Sequence, residues 1–220
     1  MKPWERVATA RTPDRSLLEL FHHDGDYMIR ADGYELMGTR MHSSEEAMMR
    51  LACEQPPEDA RVLVGGLGMG YTAAAALAAL PERATVVIAE LVPEVVEWNR
   101  GPLGPFAGHP LDDPRTEVVV DDVTKVIKRS PGTFDAILLD VDNGPTALTD
   151  RGNSWLYTRP GLAAIYAALR PGGGVAIWSI ADEPSFEKRM QTAGLAPATH
   201  RVRAHGKRGP RHAIFVGRRR

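Results

Sequence analysis

The sequence predicts an α/β fold in which a mostly parallel sheet is covered by helices on both faces. Two patterns support this prediction: short apolar segments alternate with helical patterns from Arg61 onward, and a glycine-rich turn joins the first such segment to the first helix. The length agrees, because 220 residues that are 43% hydrophobic can form one substantial α/β core. We therefore expect one main domain with a small N-terminal addition.

The N-terminal addition, residues 1–57, is predicted to be a β-hairpin followed by a helix. Asp32-Gly33 is a strong two-residue hairpin signal between two strand-like segments. The predicted strands are Tyr27–Ala31 and Tyr34–Met37, and the predicted helix, which Ser43 or Ser44 can cap, is Glu45–Cys53. Pro56-Pro57 then breaks the chain, so residues 58–220 are expected to form the main domain.

In the main domain, apolar runs bounded by turn residues predict strands, and longer periodic segments predict helices. The predicted strands are Arg61–Val64, Thr85–Ala89, Thr116–Val120, Ala136–Leu139 and Val175–Ser179. The predicted helices are Tyr71–Leu80, Pro93–Asn99, Val123–Arg129 and Arg159–Leu169. At the end of the chain, Thr199–Ala204 and His212–Val216 flank a turn of Gly, Lys, Arg and Pro, which predicts a terminal antiparallel hairpin.

A glycine turn follows the first predicted strand of the main domain. Val62–Val64 leads into Gly65-Gly66-Leu67-Gly68-Met69-Gly70, and glycines without a Cβ let the backbone approach a ligand at the start of a helix. Glu90, twenty residues after Gly70, ends the next strand, where an acid is placed to accept hydrogen bonds from ribose hydroxyls. Such turns also occur for purely structural reasons, but the two features together favour a nucleoside cofactor.

The form of the turn narrows the choice of nucleoside. Bulky Tyr71 stands at the sixth position of the dinucleotide pattern Gly-x-Gly-x-x-Gly/Ala, which disfavours a pyrophosphate. The chain has no Gly-x-x-x-x-Gly-Lys-Ser/Thr pattern for a triphosphate. A Gly-x-Gly-x-Gly turn followed by an acid at the next strand end is typical of Rossmann-like enzymes that bind S-adenosylmethionine.

Acidic residues recur where the predicted strands end, and the carboxyl ends of parallel strands meet at one edge of a sheet. The residues are Glu90, Asp121, Asp122, Asp140 and Asp142. Asp122 is placed to accept a hydrogen bond from an exocyclic adenine amine, with the N–H of Val123 beside it. A single acid at a strand end is usually a helix cap or a solvated loop residue. Their recurrence at one edge favours a binding site there.

The segment Asp140-Val141-Asp142-Asn143 offers two carboxylates and an amide at the end of the fourth strand. A carboxylate there is suited to holding a substrate ammonium and taking its proton as the nitrogen attacks carbon, and two close carboxylates raise a pKa. The alternative is a turn built from Asp and Asn. Trp155 and Tyr157 then offer an aromatic wall for an acceptor, or ordinary core packing.

Composition excludes several classes of protein. The net charge of −1 gives no general attraction to nucleic acid or membranes, and the lone Cys53 excludes an intrachain disulfide and multi-cysteine metal sites. The adjacent His22 and His23 point to opposite faces of a strand, so we expect no metal. No long uncharged apolar segment appears, and charged residues interrupt the N-terminus, so we expect neither a signal peptide nor a membrane span. We therefore expect a cytoplasmic protein without a membrane partner.

The C-terminal hairpin carries eight Lys and Arg residues between Arg201 and Arg220. Such a patch can bind RNA phosphates. Charged edge strands also protect a sheet against aggregation, and aromatic residues are sparse in this segment. We therefore expect a small-molecule acceptor, with an amine among the options, and no nucleic-acid partner.

These motifs, in this order, resemble the spermidine synthase-like branch of the class I S-adenosylmethionine-dependent methyltransferase fold. The similarity runs from about Tyr27 to Ser179. It is carried by Gly66–Gly70, Glu90, Pro93–Val96, Leu111–Arg115, Asp122, Phe134–Asp140, Gly144-Pro145 and Leu169–Gly173. The resemblance implies a Rossmann-like doubly wound sheet with an S-adenosylmethionine site. The cofactor residues it implies are Gly66, Leu67, Gly68, Met69, Gly70, Glu90, Leu91, Asp121, Asp122, Val123 and Asp140.

The polyamine-specific positions of that family are largely changed in this chain. Where Met69 stands, the family has an acid that holds the aminopropyl amine of decarboxylated S-adenosylmethionine. Its Tyr-His-Glu, which lines the polyamine site, reads Ser44-Glu45-Glu46, so Glu45 is the substrate residue expected there. Its Gln near the hairpin falls at Glu35. The Asp-Ser-Ser-Asp-Pro loop is two residues shorter, and the resemblance implies that Asp140 is the base.

A neutral Met69 favours intact S-adenosylmethionine over the decarboxylated form. An unpaired buried ammonium costs several kcal/mol, whereas the carboxylate of the intact cofactor can accept hydrogen bonds from the glycine turn. We therefore predict methyl or other alkyl transfer to a small amine or polar acceptor, with Asp140, Asp142 and Asn143 as catalytic residues. Two alternatives stay open: a polyamine aminopropyltransferase, and a non-catalytic nucleoside-binding or scaffold protein. A homodimer is also compatible with the sequence.

Overall fold

The structure is a computed structural model that describes residues 3–40, 43–141, 153–205 and 208–220. The strands are β1 (Glu5–Arg11), β2 (Leu17–His23), β3 (Asp26–Ala31), β4 (Tyr34–Gly38), β5 (Arg61–Gly65), β6 (Thr85–Glu90), β7 (Thr116–Val120), β8 (Phe134–Leu139), β9 (Leu169–Ser179), β10 (Leu195–His205) and β11 (Arg208–Arg219). The helices are α1 (Ser43–Ala52), α2 (Tyr71–Ala79), α3 (Pro93–Arg100), α4 (Val123–Lys128), α5 (Arg159–Ala168) and α6 (Pro184–Thr192). Short 3-10 helices span Gly104–Ala107 and Asn153–Tyr157.

The main sheet confirms the predicted α/β fold. Its seven strands have the order β10-β11-β9-β8-β5-β6-β7, and β5 to β9 run parallel. β10 and β11 form the predicted antiparallel hairpin at one edge. The chain moves outward from β5 to β7, then returns to β8 on the other side of β5. Ligands bind in the crevice at such a reversal, which here lies between the carboxyl ends of β5 and β8.

Helices cover both faces of this sheet and bury two apolar layers. Met48 of α1, Leu77 of α2 and Val96 of α3 belong to the first layer. Ile127 of α4 and Ile165 of α5 belong to the second, together with residues of α6. None of the helices in the described residues is long and apolar enough to cross a membrane.

Three parts of the chain differ from the sequence prediction. Residues 5–38 form a four-stranded antiparallel sheet rather than one hairpin. β1 was not predicted, because most of its side chains are exposed and give no alternating pattern. Helix α6 was also not predicted. β9 begins at Leu169 instead of Val175, because Arg170–Gly173 form an irregular insertion in its pairing with β8 and do not end the strand.

Candidate functional site

The glycine turn between β5 and α2 lies at the reversal of the sheet and is tightly packed on its own chain. Gly66, Gly68 and Gly70 have φ angles of 86°, 52° and 86°, which favour glycine. A Cβ on Gly66 would collide with the carbonyl oxygen of Asp140, and one on Gly68 would lie 2.8 Å from Sδ of Met37. Leu67 and Met69 are buried. The glycine spacing is thus explained in part by packing within the protein.

Glu90 holds this turn through its carboxylate. The side chain is buried, and its oxygens accept hydrogen bonds from the N–H groups of Leu67 and Val92, each at 2.8 Å. Burial raises the pKa of Glu90, and these N–H groups act in the opposite direction. Each carboxylate oxygen has a further lone pair, so these hydrogen bonds do not exclude a contact with ribose hydroxyls. The ribose contact stays a prediction. The neighbouring Leu91 is 39% exposed at the same rim.

The acids after β7 have partners within the protein. Asp122 caps α4 by accepting a hydrogen bond from the N–H of Thr124 at 2.7 Å, which is the capping alternative considered for it. Asp121 pairs with Arg129 at 2.6 Å, and this bond lowers the pKa of Asp121. Val123 is buried beneath the turn, where a Cβ on Gly65 would touch it. Their predicted contacts with adenine remain predictions.

Asp140 follows β8 directly and lies beside the glycine turn. Its Oδ2 accepts a hydrogen bond from the hydroxyl of Thr72 at 2.9 Å, and its N–H donates to the carbonyl of Gly65 at 3.0 Å. Burial raises the pKa of Asp140 to about 7, the negative charge of Glu45 adds to this, and the Thr72 hydroxyl opposes it. Such a carboxyl exchanges a proton readily near neutral pH, which suits a general base.

Helix α1 brings Glu45 to this site. The helix packs against α2 and the strands β8 to β11, and Glu45 lies partly buried in its first turn. The charge of Glu45 acts on the pKa of Asp140, so the two carboxylates share one electrostatic environment. The predicted contact of Glu45 with a substrate stays a prediction.

Other predicted residues lie apart or outside the described chain. Tyr157 is buried and packs edge-on against Phe186, with ring centroids 5.9 Å apart. Trp155 lies under Nζ of Lys128, which is 3.9 Å from its ring centroid. Both aromatic residues pack with the second core layer, whereas α1, which carries Glu45, packs with the first. The predicted contact of Trp155 and Tyr157 with an acceptor stays a prediction. Asp142 and Asn143 lie outside the described residues.

Sequence reasoning missed three side chains that support the site. Thr72, in the first turn of α2, is the partner of Asp140. Asn99 of α3 is buried and donates through Nδ2 to the carbonyls of Gly68 and Val95, at 2.9 and 3.0 Å. Met37 covers the turn from β4. Only Thr72 could have been found from the sequence. It stands two residues after Gly70, the last glycine of the turn, and a residue at that position lies near the strand ends.

Three carboxyl groups lie along this rim of the sheet. The buried Glu90 lies at the turn, Asp122 retains a second carboxylate oxygen, and the ionisable Asp140 lies next to both β5 and α2. Among the described residues, no group of three His, Cys, Asp or Glu side chains is arranged to hold a metal ion.

Comparison with known proteins gives relatives for most of the chain. The family model described as spermine/spermidine synthase domain matches residues 41–194. Polyamine aminopropyltransferase 2 of Pseudomonas aeruginosa is 29% identical over 194 residues, which cover 84% of this chain and 49% of that protein. The polyamine aminopropyltransferase of Mycobacterium tuberculosis is 32% identical over 131 residues, or 58% of this chain and 24% of that protein. The chain therefore spans half or less of these relatives.

Solved structures share the fold. Spermidine synthase from Thermotoga maritima has a TM-score of 0.74 at 17% identity, over 96% of this chain and 72% of that one. TrmN from Thermus thermophilus has a TM-score of 0.60 at 24% identity, over 80% of this chain and 48% of that one. At these identities the likeness concerns the fold alone.

Proposed function

Because the chain belongs to the spermine/spermidine synthase domain family, we propose that it transfers an aminopropyl group from decarboxylated S-adenosylmethionine to a small amine. The observation that carries the proposal is Asp140, whose pKa is raised to about 7 by burial beside the glycine turn. The named relatives are aminopropyltransferases, and this favours aminopropyl transfer over the methyl transfer that the sequence suggested.

The residues of the rim divide into cofactor and acceptor roles. Glu90 and the turn would bind the nucleoside, which supplies a carbon activated by the adjacent sulfonium. Asp140 would hold the acceptor ammonium and take its proton. Its pKa of about 7 lies below that of an alkyl ammonium, near 10, so the ionised carboxylate can pair with the charged amine. The same pKa is high enough for Asp140 to act as a base near pH 7. Holding the nitrogen at the carbon would supply further acceleration through proximity.

Methyl transfer from intact S-adenosylmethionine is the second candidate, and Met69 is the observation that favours it. Met69 is buried in the turn and carries no charge for an aminopropyl ammonium. In an aminopropyltransferase of this chain, an acid other than Asp140 would have to take over that role, because Asp140 is the base. The two candidates therefore make opposite predictions for cofactor preference.

The test is to incubate the purified protein with diaminobutane and either cofactor and to identify products by mass spectrometry. The proposal predicts methylthioadenosine and an aminopropylated amine from the decarboxylated cofactor. S-adenosylhomocysteine and a methylated amine from the intact cofactor would support the second candidate. If a panel of small amines gives neither product, the scaffold alternative gains and both transfer proposals fail.

Two substitutions distinguish catalysis by this protein from a contaminating activity and from a general loss of structure. Asp140→Asn removes the base and should abolish product while leaving cofactor binding measurable by calorimetry. Asp59→Asn is the matched control, because Asp59 is exposed and precedes β5, at the opposite end of this strand from the turn. Product formation that survives Asp140→Asn would remove the base from the proposal.

A further inference from the structure

The C-terminal hairpin brings a histidine to the same edge of the sheet as Asp140. Ala213 of β11 pairs with Ser179, the last residue of β9, so His212 lies just beyond the end of β9. Asp140 follows Leu139, which pairs with the same strand. β9 lies between β8 and β11, so the backbones of these two strands are about 10 Å apart, which is two strand spacings.

His212 lies on the face of the sheet that α1 covers. Alternate residues of a strand share a face, and Ile214 belongs to the first core layer with α1. The half-buried His212 ring packs edge-on against Trp178, with centroids 4.6 Å apart. Among the described residues, none accepts a hydrogen bond from the buried indole nitrogen of Trp178. An aromatic and an imidazole surface therefore meet at this edge.

Glu45 connects this histidine with Asp140. Burial lowers the pKa of His212, and the negative charge of Glu45 opposes that effect. The same charge raises the pKa of Asp140. One carboxylate therefore lies within electrostatic reach of both groups. The neutral imidazole has one ring nitrogen that accepts hydrogen bonds, so the region around Glu45 and His212 favours a cation.

We infer that His212, together with Glu45, binds the distal ammonium of a diamine acceptor whose reacting nitrogen lies at Asp140, so that His212 determines acceptor specificity. This inference rests on the proposed function. A carboxylate, an imidazole acceptor and an aromatic ring are the groups that bind an ammonium ion. The separation of β8 and β11 suits the two ends of a short aliphatic diamine. A monoamine of the same length lacks the cation that this end of the site binds.

The test compares diaminobutane with butylamine in steady-state kinetics. His212→Ala should raise KM for diaminobutane about tenfold, the size expected when a hydrogen bond to a charged group is lost, with kcat within about twofold. The kinetics of butylamine should not change. His212→Gln keeps a hydrogen-bond acceptor without a titrating ring and should restore most of the diamine affinity.

The control is His200→Ala, which removes an exposed histidine from β10 of the same hairpin and should leave both acceptors unchanged. Thermal midpoints of all variants establish that they fold, and His212→Leu, which keeps a bulky side chain without a hydrogen-bond acceptor, carries the test if His212→Ala does not fold. If His212→Ala lowers activity equally with both amines, or leaves KM for diaminobutane unchanged, the role of His212 is overturned while the proposed function stands. If the wild-type protein alkylates neither amine, the proposed function fails first and this inference fails with it.

Discussion

The turn Gly66–Gly70 depends on backbone fit, whereas the neighbouring cluster of Asp140, Thr72 and Glu45 depends on burial and charge. In the turn, left-handed φ angles and close contacts leave no room for a Cβ at Gly66. In the cluster, the pKa of the carboxyl that follows β8 is adjusted by a hydroxyl from α2 and a carboxylate from α1. Substitutions in the turn should therefore lower stability, and substitutions in the cluster should change the pH dependence of activity. Each substitution below tests one side of this difference.

Asp140→Asn should have the largest effect on activity. Loss of a general base lowers the transfer rate about a thousandfold. The same change should stabilise the fold. A carboxyl whose pKa rises from 3.8 to about 7 on folding lowers stability above pH 3.8, where the unfolded chain ionises, and the loss is complete above pH 7. The unfolding free energy should therefore increase by up to about 4 kcal/mol at pH 8 and by less than half as much at pH 5. Turnover and urea unfolding at both pH values check this, and a pH-independent loss of stability would contradict it.

Gly66→Ala should strongly destabilise the turn, and Gly33→Ala provides a matched control. Both glycines have a φ of 86°, but a Cβ on Gly33 has nothing within 4 Å, whereas one on Gly66 meets the carbonyl of Asp140. We expect Gly33→Ala to cost about 1 kcal/mol and Gly66→Ala more than about 3 kcal/mol. Urea denaturation measures both values. Equal costs would show that conformation alone, without packing, requires glycine in the turn.

Glu45→Gln should move the pH profile toward acid. The negative charge of Glu45 raises the pKa of Asp140, so its removal lowers that pKa and leaves more of the base ionised below pH 7. The rate at pH 6, measured at saturating acceptor, should rise by up to about tenfold, because each unit of pKa changes the ionised fraction tenfold in this range. A profile that does not shift would mean that Glu45 and Asp140 are not coupled.

Thr72→Val should move the profile in the opposite direction by a smaller amount. The Thr72 hydroxyl donates to Asp140 at 2.9 Å and lowers its pKa, so valine should raise that pKa further. The rate at pH 6 should fall about threefold, and the rate at pH 9 should stay unchanged. Thr72→Ser keeps the hydroxyl and should retain the wild-type profile. A loss at all pH values would indicate a structural defect instead.

Local sequence patterns predicted the elements of the site well. The strand Thr116–Val120 has the predicted bounds, and the helix after the turn begins at Tyr71 as expected. Asp140 also lies at the predicted strand end. These features succeed because apolar runs, glycines and strand ends are properties of neighbouring residues. Asp122 illustrates the limit, because an acid before a helix is equally suited to a cap and to a ligand, and the structure shows it capping α4.

Partners that are distant in sequence could not be predicted. Glu90 was expected to face a ribose, yet its carboxylate also holds the N–H of Leu67, because the ends of β5 and β6 lie side by side. His212 approaches the edge of the sheet only because β11 inserts next to β9. The contact of Glu90 with Leu67 and the position of His212 both depend on strand order, so no local sequence pattern predicts them.

The sequence by itself determined the α/β fold, the glycine turn and the row of acids at the strand ends, because periodicity and turn chemistry are local properties. The tertiary structure alone decided which acid is buried enough to titrate near pH 7, and which groups adjust it. Thr72 and Glu45 reach Asp140 through folded contacts between α2, α1 and β8. A protonation equilibrium depends on desolvation and on charges near in space, and sequence distance does not encode either of them.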